Sequence, residues 1–321
     1  MSFDTRAPFE TPWILRDPAA APRVGPDPSL RLFCLPQAGC GAWAFHGLWQ
    51  TRLPPHVEVL PVEYPGRNSR LRHPFEYQSL QDLASAIVDA IEPLLPADAD
   101  ASASRGVASK RPANPPYALL GWSMGAWLGY EMVLEIARRG HSALPLRVYL
   151  GGSRSPSLAG PEFDPDRETP ALSALPKRLF WEAFARRYGA NADLEASEAL
   201  RDLLLPTLRR DFALMERYAP STDPREAQGS ESRCLGRRDE RVAAARLPVP
   251  LVAFGAHGDA RYFPQQLSAW RDVAALDHDR NENERCFFLE RWFRGGRATP
   301  HRLVLDAPDD LLRFLSEAFG G

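Results

Sequence analysis

The segment Gly121-Trp122-Ser123-Met124-Gly125 follows directly on the apolar run Tyr117-Ala118-Leu119-Leu120 and leads into a stretch with helical spacing. A serine between two glycines at a strand-to-helix junction confines the chain to a very sharp turn. The central residue takes a strained backbone conformation, and the flanking glycines leave room for neighbouring backbone to approach. That is the context a nucleophile elbow requires. Ser123 is thereby held at the tip of a strand, where the helix N-terminus and the Met124 N–H face an anion forming on a bound carbonyl.

The rest of the chain provides strands and helices in the order this turn needs. Arg31–Leu35, Glu58–Val62, Tyr117–Gly121, Leu146–Leu150, Val249–Gly255 and Cys286–Phe293 read as strands, several too uniformly apolar for a half-exposed sheet, which suits buried and largely parallel pairing. Leu80, Leu83, Ala84, Ile87 and Ile91 fall on one helix face with Ser79 as N-cap, and Met124, Leu128, Met132 and Ile136 continue a second helix that Gly140 can end. This alternation predicts an α/β fold with a mostly parallel, doubly wound sheet and a site at the carboxyl ends of its strands. From about residue 157 to 220 the pattern changes to consecutive helices, with Leu200, Leu203, Leu204, Leu208, Phe212 and Met215 among their apolar positions. This stretch is expected to form a mobile lid inserted in one domain spanning 29–321, after a loose tail at 1–28. The segments 96–116, 221–246 and 277–285 read as long loops.

Charge and cysteine usage narrow the possible partners. A net charge of −2 over 321 residues leaves no basic surplus for a phosphate backbone, so nucleic acid is not expected. The seven histidines and four cysteines show no metal-ligand spacing, and no apolar run approaches the ~20 residues of a membrane span. Scattered cysteines and a polar start, Met1-Ser2-Phe3-Asp4, predict a reduced, cytoplasmic protein.

A serine hydroxyl needs a base to take its proton and a carboxylate to orient that base. In the order serine, acid, histidine, Asp259 lies just beyond the strand Val249–Gly255, and His301 is the only histidine after the last predicted strand. His257 is the rival base, but it precedes the acid; His278 sits in a polar run, and Asp277, the rival acid, follows a helix-like stretch. A second oxyanion donor is expected from the turn Pro36-Gln37-Ala38-Gly39-Cys40-Gly41 after the first strand. Cys40 has nothing nearby in sequence to lower its pKa and reads as a small loop residue.

Four segments together resemble the type II thioesterases of polyketide and nonribosomal peptide synthesis and the related medium-chain acyl hydrolases of fatty acid synthesis. They are Leu32-Phe33-Cys34-Leu35-Pro36-Gln37-Ala38-Gly39-Cys40-Gly41, Glu63-Tyr64-Pro65-Gly66-Arg67, the elbow, and Leu205-Pro206-Thr207-Leu208-Arg209-Arg210-Asp211-Phe212. The resemblance implies an α/β-hydrolase fold with Ser123 as nucleophile, Asp259 as acid, His301 as base, and the Ala38 and Met124 amides as oxyanion donors. It implies hydrolysis of acyl thioesters from the phosphopantetheine arm of an acyl or peptidyl carrier protein, with no cofactor and no metal. Gln37, Leu208, Phe212 and Met215 are the expected substrate contacts, and Arg186, Arg187, Arg209 and Arg210 a basic surface for an acidic carrier. The family has Gly-Gly-His after its last strand, whereas Gly295-Gly296 is followed here by Arg297, which implies an insertion, Arg297–Pro300, ahead of the base. Ala260 follows Asp259 where a proline is common. An esterase or lipase of oxygen esters, or a non-catalytic binding protein on the same fold, are the alternatives.

Overall fold

The strands are β1 (Leu30–Leu35), β2 (Val57–Pro61), β3 (Tyr117–Trp122), β4 (Val148–Gly151), β5 (Leu251–His257) and β6 (Phe288–Arg294). They form one sheet in the order β2-β1-β3-β4-β5-β6, and each of these neighbouring pairs is parallel. The computed structural model describes residues 10–17, 19, 28–97, 114–141, 143–169, 171–222, 242–275, 288–295 and 299–320. After β1 the chain moves outward to β2 and then returns across β1 to β3. The strand order therefore reverses between β1 and β3, and loops leaving these two strands diverge to open a crevice at their carboxyl ends.

Successive residues of each strand serve opposite faces. Phe33 and Leu35 join the core beneath helices α1 (Leu80–Ile91) and α2 (Met124–Arg138), while Leu32 and Cys34 join a second core with Trp122, Phe254 and Leu311. Ser79 caps α1 by accepting from the Asp82 N–H at 3.0 Å, and Asp82 accepts in return from the Ser79 N–H at 3.1 Å, a complete capping box. At the other end of α2, Gly140 turns the chain with φ of 74°. The last strand departs from the expected apolar character: β6 is an edge strand that exposes Arg291 and Arg294 and holds Phe288, Leu289, Glu290 and Trp292 only half-buried. Part of the presumed loose tail is also fixed. Ile14 is buried and bridges Val62 antiparallel, with the Leu15 N–H donating to the Pro61 carbonyl at 3.1 Å.

Between β4 and β5 the described residues hold helices without strands: α3 (Lys177–Tyr188), the short helix Ala192–Ala196, and α4 (Glu198–Glu216), preceded by single 3-10 turns. No described helix is long and apolar enough to cross a membrane.

The junction of β3 and α2 shows why its glycines are required. A Cβ at Gly125 would lie 2.0 Å from the Leu35 carbonyl oxygen, and one at Gly121 would lie 2.1 Å from the Gly125 carbonyl oxygen. Backbone is on both sides, so no side-chain adjustment relieves either clash. Gly125→Ala is expected to lower unfolding stability by about 3 kcal/mol through displaced backbone, whereas Gly140→Ala, with open space around its Cβ, loses only the left-handed penalty of roughly 1 kcal/mol. Chemical denaturation of the two variants beside the wild type measures the difference.

Candidate active site

Ser123 stands at the first cap of α2 with φ of 57° and ψ of −117°, one of two non-glycine residues with positive φ among those described. The strain is held from both sides: the Ser123 N–H donates to the Gly151 carbonyl at 2.8 Å, and its own carbonyl accepts from the Ala126 N–H at 3.0 Å. Its hydroxyl lies 3.2 Å from Nε2 of His301, whose Nδ1 lies 2.8 Å from Oδ2 of Asp259. A carboxylate only accepts, so Nδ1 carries the imidazole proton and Nε2 is left free to accept from the Ser123 hydroxyl. Ser123 and His301 are buried at 3% and 4% exposure.

Asp259 lies just past β5, where the sequence places it. Burial opposes its ionisation, but the His301 imidazole and the Arg261 N–H, which donates at 2.8 Å, outweigh burial and hold the carboxyl below its usual range. The loop is itself braced. Arg261 pairs with Asp164 through two bonds of 2.7 and 2.6 Å, and Arg154 approaches the same carboxylate at 3.3 Å. The His301 imidazole is enclosed by Tyr188, Tyr262 and Trp122, with ring centroids at 4.9, 5.6 and 5.7 Å. Trp122 also donates from Nε1 to the His301 carbonyl at 2.8 Å, so the residue before the serine fixes the backbone of the histidine. His301 thus lies within hydrogen-bond reach of Ser123 although four residues stand between it and Gly295-Gly296. His257 ends β5, exposed and beside Trp292, and does not line the site. Asp277 and His278 lie outside the described residues.

The turn after β1 is held by one short segment and one helix. Tyr64 donates its hydroxyl to the Pro36 carbonyl at 3.1 Å, and Glu63 accepts from the Ala42 N–H at 2.7 Å. Between these anchors, Arg67 donates to the Cys40 carbonyl at 2.9 Å and forms two bonds of 2.8 and 2.7 Å to Asp211 of α4. Asp211 in turn accepts from the Gly39 N–H at 2.7 Å. Both members are buried, at 4% and 0% side-chain exposure. Burial alone would lower the Arg67 pKa, and Asp211 more than offsets it. The Gly39 and Cys40 amides are thus committed, to Asp211 and to the Gln37 carbonyl, and neither can receive a substrate oxygen. Arg67 and Asp211 both sit in segments that the sequence singles out, but nothing in either segment says that they meet.

A cavity of about 420 Å³ opens on Ser123 and His301, bordered by Gln37, Ala38, Leu204, Leu208 and Phe212. Met215, expected beside them, is buried in the core one turn further along α4 and does not line the cavity. The basic surface needs a similar correction. Arg187 is buried and paired with Asp166, Arg186 shares that carboxylate, Arg209 bonds the Leu175 carbonyl, and Arg210 is turned toward the Gly66 carbonyl. Asp211 ties α4, part of the expected lid, to the turn after β1 and to Arg67. Cys34 and Cys40 are buried free thiols; burial pushes Cys40 up to about 12, well away from thiolate chemistry. No group of three or more metal-ligating side chains is assembled among the described residues.

A family model described as "Thioesterase domain" matches residues 30–99 and 106–282. The chain is 32% identical over 246 residues to the thioesterase PikA5 of Streptomyces venezuelae, covering 77% of this chain and 70% of that protein. It is 27% identical over 243 residues to the gramicidin S biosynthesis protein GrsT of Aneurinibacillus migulanus, covering 76% of each. Among solved structures, the RedJ thioesterase from the prodiginine biosynthetic pathway of Streptomyces coelicolor superposes with a TM-score of 0.64 at 30% identity, over 98% of this chain and 97% of that one.

Two stability measurements test this architecture. Breaking the buried pair from one side, by Arg67→Met or Asp211→Leu, should cost about 3–5 kcal/mol, because it leaves an uncompensated buried charge, and the double variant should recover part of that loss. Urea unfolding of the three variants measures the coupling; additive losses would contradict it. Second, the folded-state pKa of Asp259 is depressed, so its contribution to stability is complete above the unfolded carboxylate pKa and is lost as the pH falls through the lower folded value. Asp259→Asn should therefore flatten the acid limb of melting temperature against pH, and a limb parallel to the wild type would refute this contribution.

Proposed function

The chain belongs to the thioesterase domain family, and from that premise we propose that it releases acyl groups from the phosphopantetheine arm of an acyl or peptidyl carrier protein through a Ser-His-Asp triad. The observation that carries this reading is the unbroken hydrogen-bond chain Ser123–His301–Asp259 at 3.2 and 2.8 Å. The α/β-hydrolase fold and thioester hydrolysis follow from the family and its relatives. The relatives named for gramicidin S and prodiginine biosynthesis point to assembly-line peptide and polyketide chemistry as the setting.

His301 accepts the Ser123 proton as Oγ attacks the thioester carbonyl, and the imidazolium that forms is stabilised by Asp259. The carbonyl oxygen becomes an oxyanion facing the Ala38 and Met124 amides, the first in the braced turn after β1 and the second at the start of α2. Two such preoriented donors supply several kcal/mol of barrier lowering. Collapse breaks the C–S bond, and the pantetheine sulfur leaves as thiol with the proton from His301. Water then enters, gives its proton to His301, and attacks the acyl-serine ester; the acid departs as Ser123 regains its proton. This chemistry requires no metal or organic cofactor.

Substrate binding follows from the cavity walls. Leu208 and Phe212 offer apolar contact to the acyl group. Gln37 has a buried Oε1 without a donor among the described residues, and an amide N–H of the pantetheine arm supplies the missing partner. The lid is the helical insertion at about 157–220 within a single domain of 29–321. With α4 pinned at Asp211, its opening is confined to parts of the insertion remote from that anchor.

Ser123→Ala and His301→Ala should each lower kcat for an acyl-pantetheine thioester by on the order of 10⁴-fold or more, with folding intact by circular dichroism. His257→Ala should leave the rate within a small factor. A fluorophosphonate probe should label wild type and not Ser123→Ala. Wild-type turnover in Ser123→Ala, or a large loss in His257→Ala with His301→Ala active, would overturn the assignment.

A further inference from the structure

A second cavity, of about 600 Å³, lies against the outer side of the lid, between α3 and the segment 189–201. It is not part of the site built around Ser123, yet the two share a wall. Phe184, Gly189, Asn191 and Leu194 border both. Trp181 and Ala185, one turn apart on α3, border only the outer one.

The chemistry of this groove is that of an apolar guest. Its basic neighbours are already paired, and the one buried side-chain nitrogen of the lining without a partner among the described residues is the Trp181 indole Nε1. Lys177 pairs with Glu198 at 2.8 Å and Asp202 at 2.5 Å, Arg178 with Glu182 at 2.6 Å, and Arg201 donates to the Leu194 carbonyl at 2.6 Å. Asn191 spends its side-chain oxygen capping the short helix, accepting from the Asp193 and Leu194 N–H groups at 3.0 and 3.3 Å. These pairings leave Trp181, Phe184, Ala185 and Leu194 as the groove's apolar lining. The shared wall is also lightly built: the helix Ala192–Ala196 has no buried residue, and Gly189 before it has φ of 88°. A segment with so little buried surface opens at low cost.

We propose that the outer groove receives the far end of a long acyl chain whose thioester lies at Ser123, the chain passing between Phe184 and Leu194. The inference rests on the acyl-transfer reading above and adds the substrate class: chains longer than the inner cavity holds. Short acyl groups occupy the inner cavity alone.

The test is a chain-length profile with dodecanoyl and hexanoyl pantetheine thioesters on the whole protein. Ala185→Trp fills the outer groove without touching the inner cavity, and Ala185→Leu does so more mildly. Ala185→Trp should lower kcat/KM for the dodecanoyl thioester roughly tenfold, the equivalent of about two methylenes returned to water. Its hexanoyl rate should stay at the wild-type value. Ala185→Leu should move the same ratio by a smaller factor, which keeps the test valid if the larger side chain unfolds the protein. An unchanged ratio in both variants, or equal losses on both chains in a folded variant, would overturn the proposal. If instead the wild type hydrolyses neither thioester, it is the acyl-transfer reading that fails.

Discussion

The buried pair between Arg67 and Asp211 is the interaction on which the site depends. It joins three segments separate in sequence: the turn after β1, the turn after β2, and helix α4. Taking both charges out of water costs several kcal/mol, which the two charge-assisted bonds, the Gly39 N–H and the Cys40 carbonyl offset. A hydrophobic pair of equal volume would give as much stability. It would not fix the direction of an amide turn, however, because dispersion has no direction, and the ion pair does. By accepting the Gly39 N–H, Asp211 sets the orientation of the turn that presents Ala38.

Much of the fold was legible because its signals are periodic or local. The Ser79 cap, the apolar face of α1 and the elbow are each written within a few residues, and the strands differ from their expected spans only at the ends. Asp259 and His301 could be placed from chain order because each follows a strand, and the carboxyl ends of parallel strands lie along one edge of the sheet. What was not legible is side-chain partnership across the fold. Met215 continues the apolar stripe of Leu208 and Phe212, but periodicity says only that a residue is buried, not whether it faces core or cavity. Arg187 looks like surface charge until Asp166 is seen to reach it. Arg67 and Asp211 were each visible inside a motif, and only the fold brings them together.

The aromatic enclosure of His301 shows the same division. Trp122 belongs to the end of β3, Tyr262 to the loop past β5 and Tyr188 to the end of α3, so strand, loop and helix each place one ring beside the imidazole. The His301 imidazole is thus held by ring contacts from three separate elements, while its Nδ1 meets Asp259.

The bond from Trp122 Nε1 to the His301 carbonyl has a consequence for how such a chain tolerates change. The His301 carbonyl is docked by Trp122, the residue before Ser123, while on the path from β6 Thr299 lines the cavity and Pro300 packs close to Gly295. Lengthening that path costs only a small, slowly growing loop entropy. The number of residues between β6 and His301 is therefore less constrained than the position of its imidazole beside Ser123. A sequence can then lose the spacing by which its histidine is recognised and still keep the histidine where it is needed.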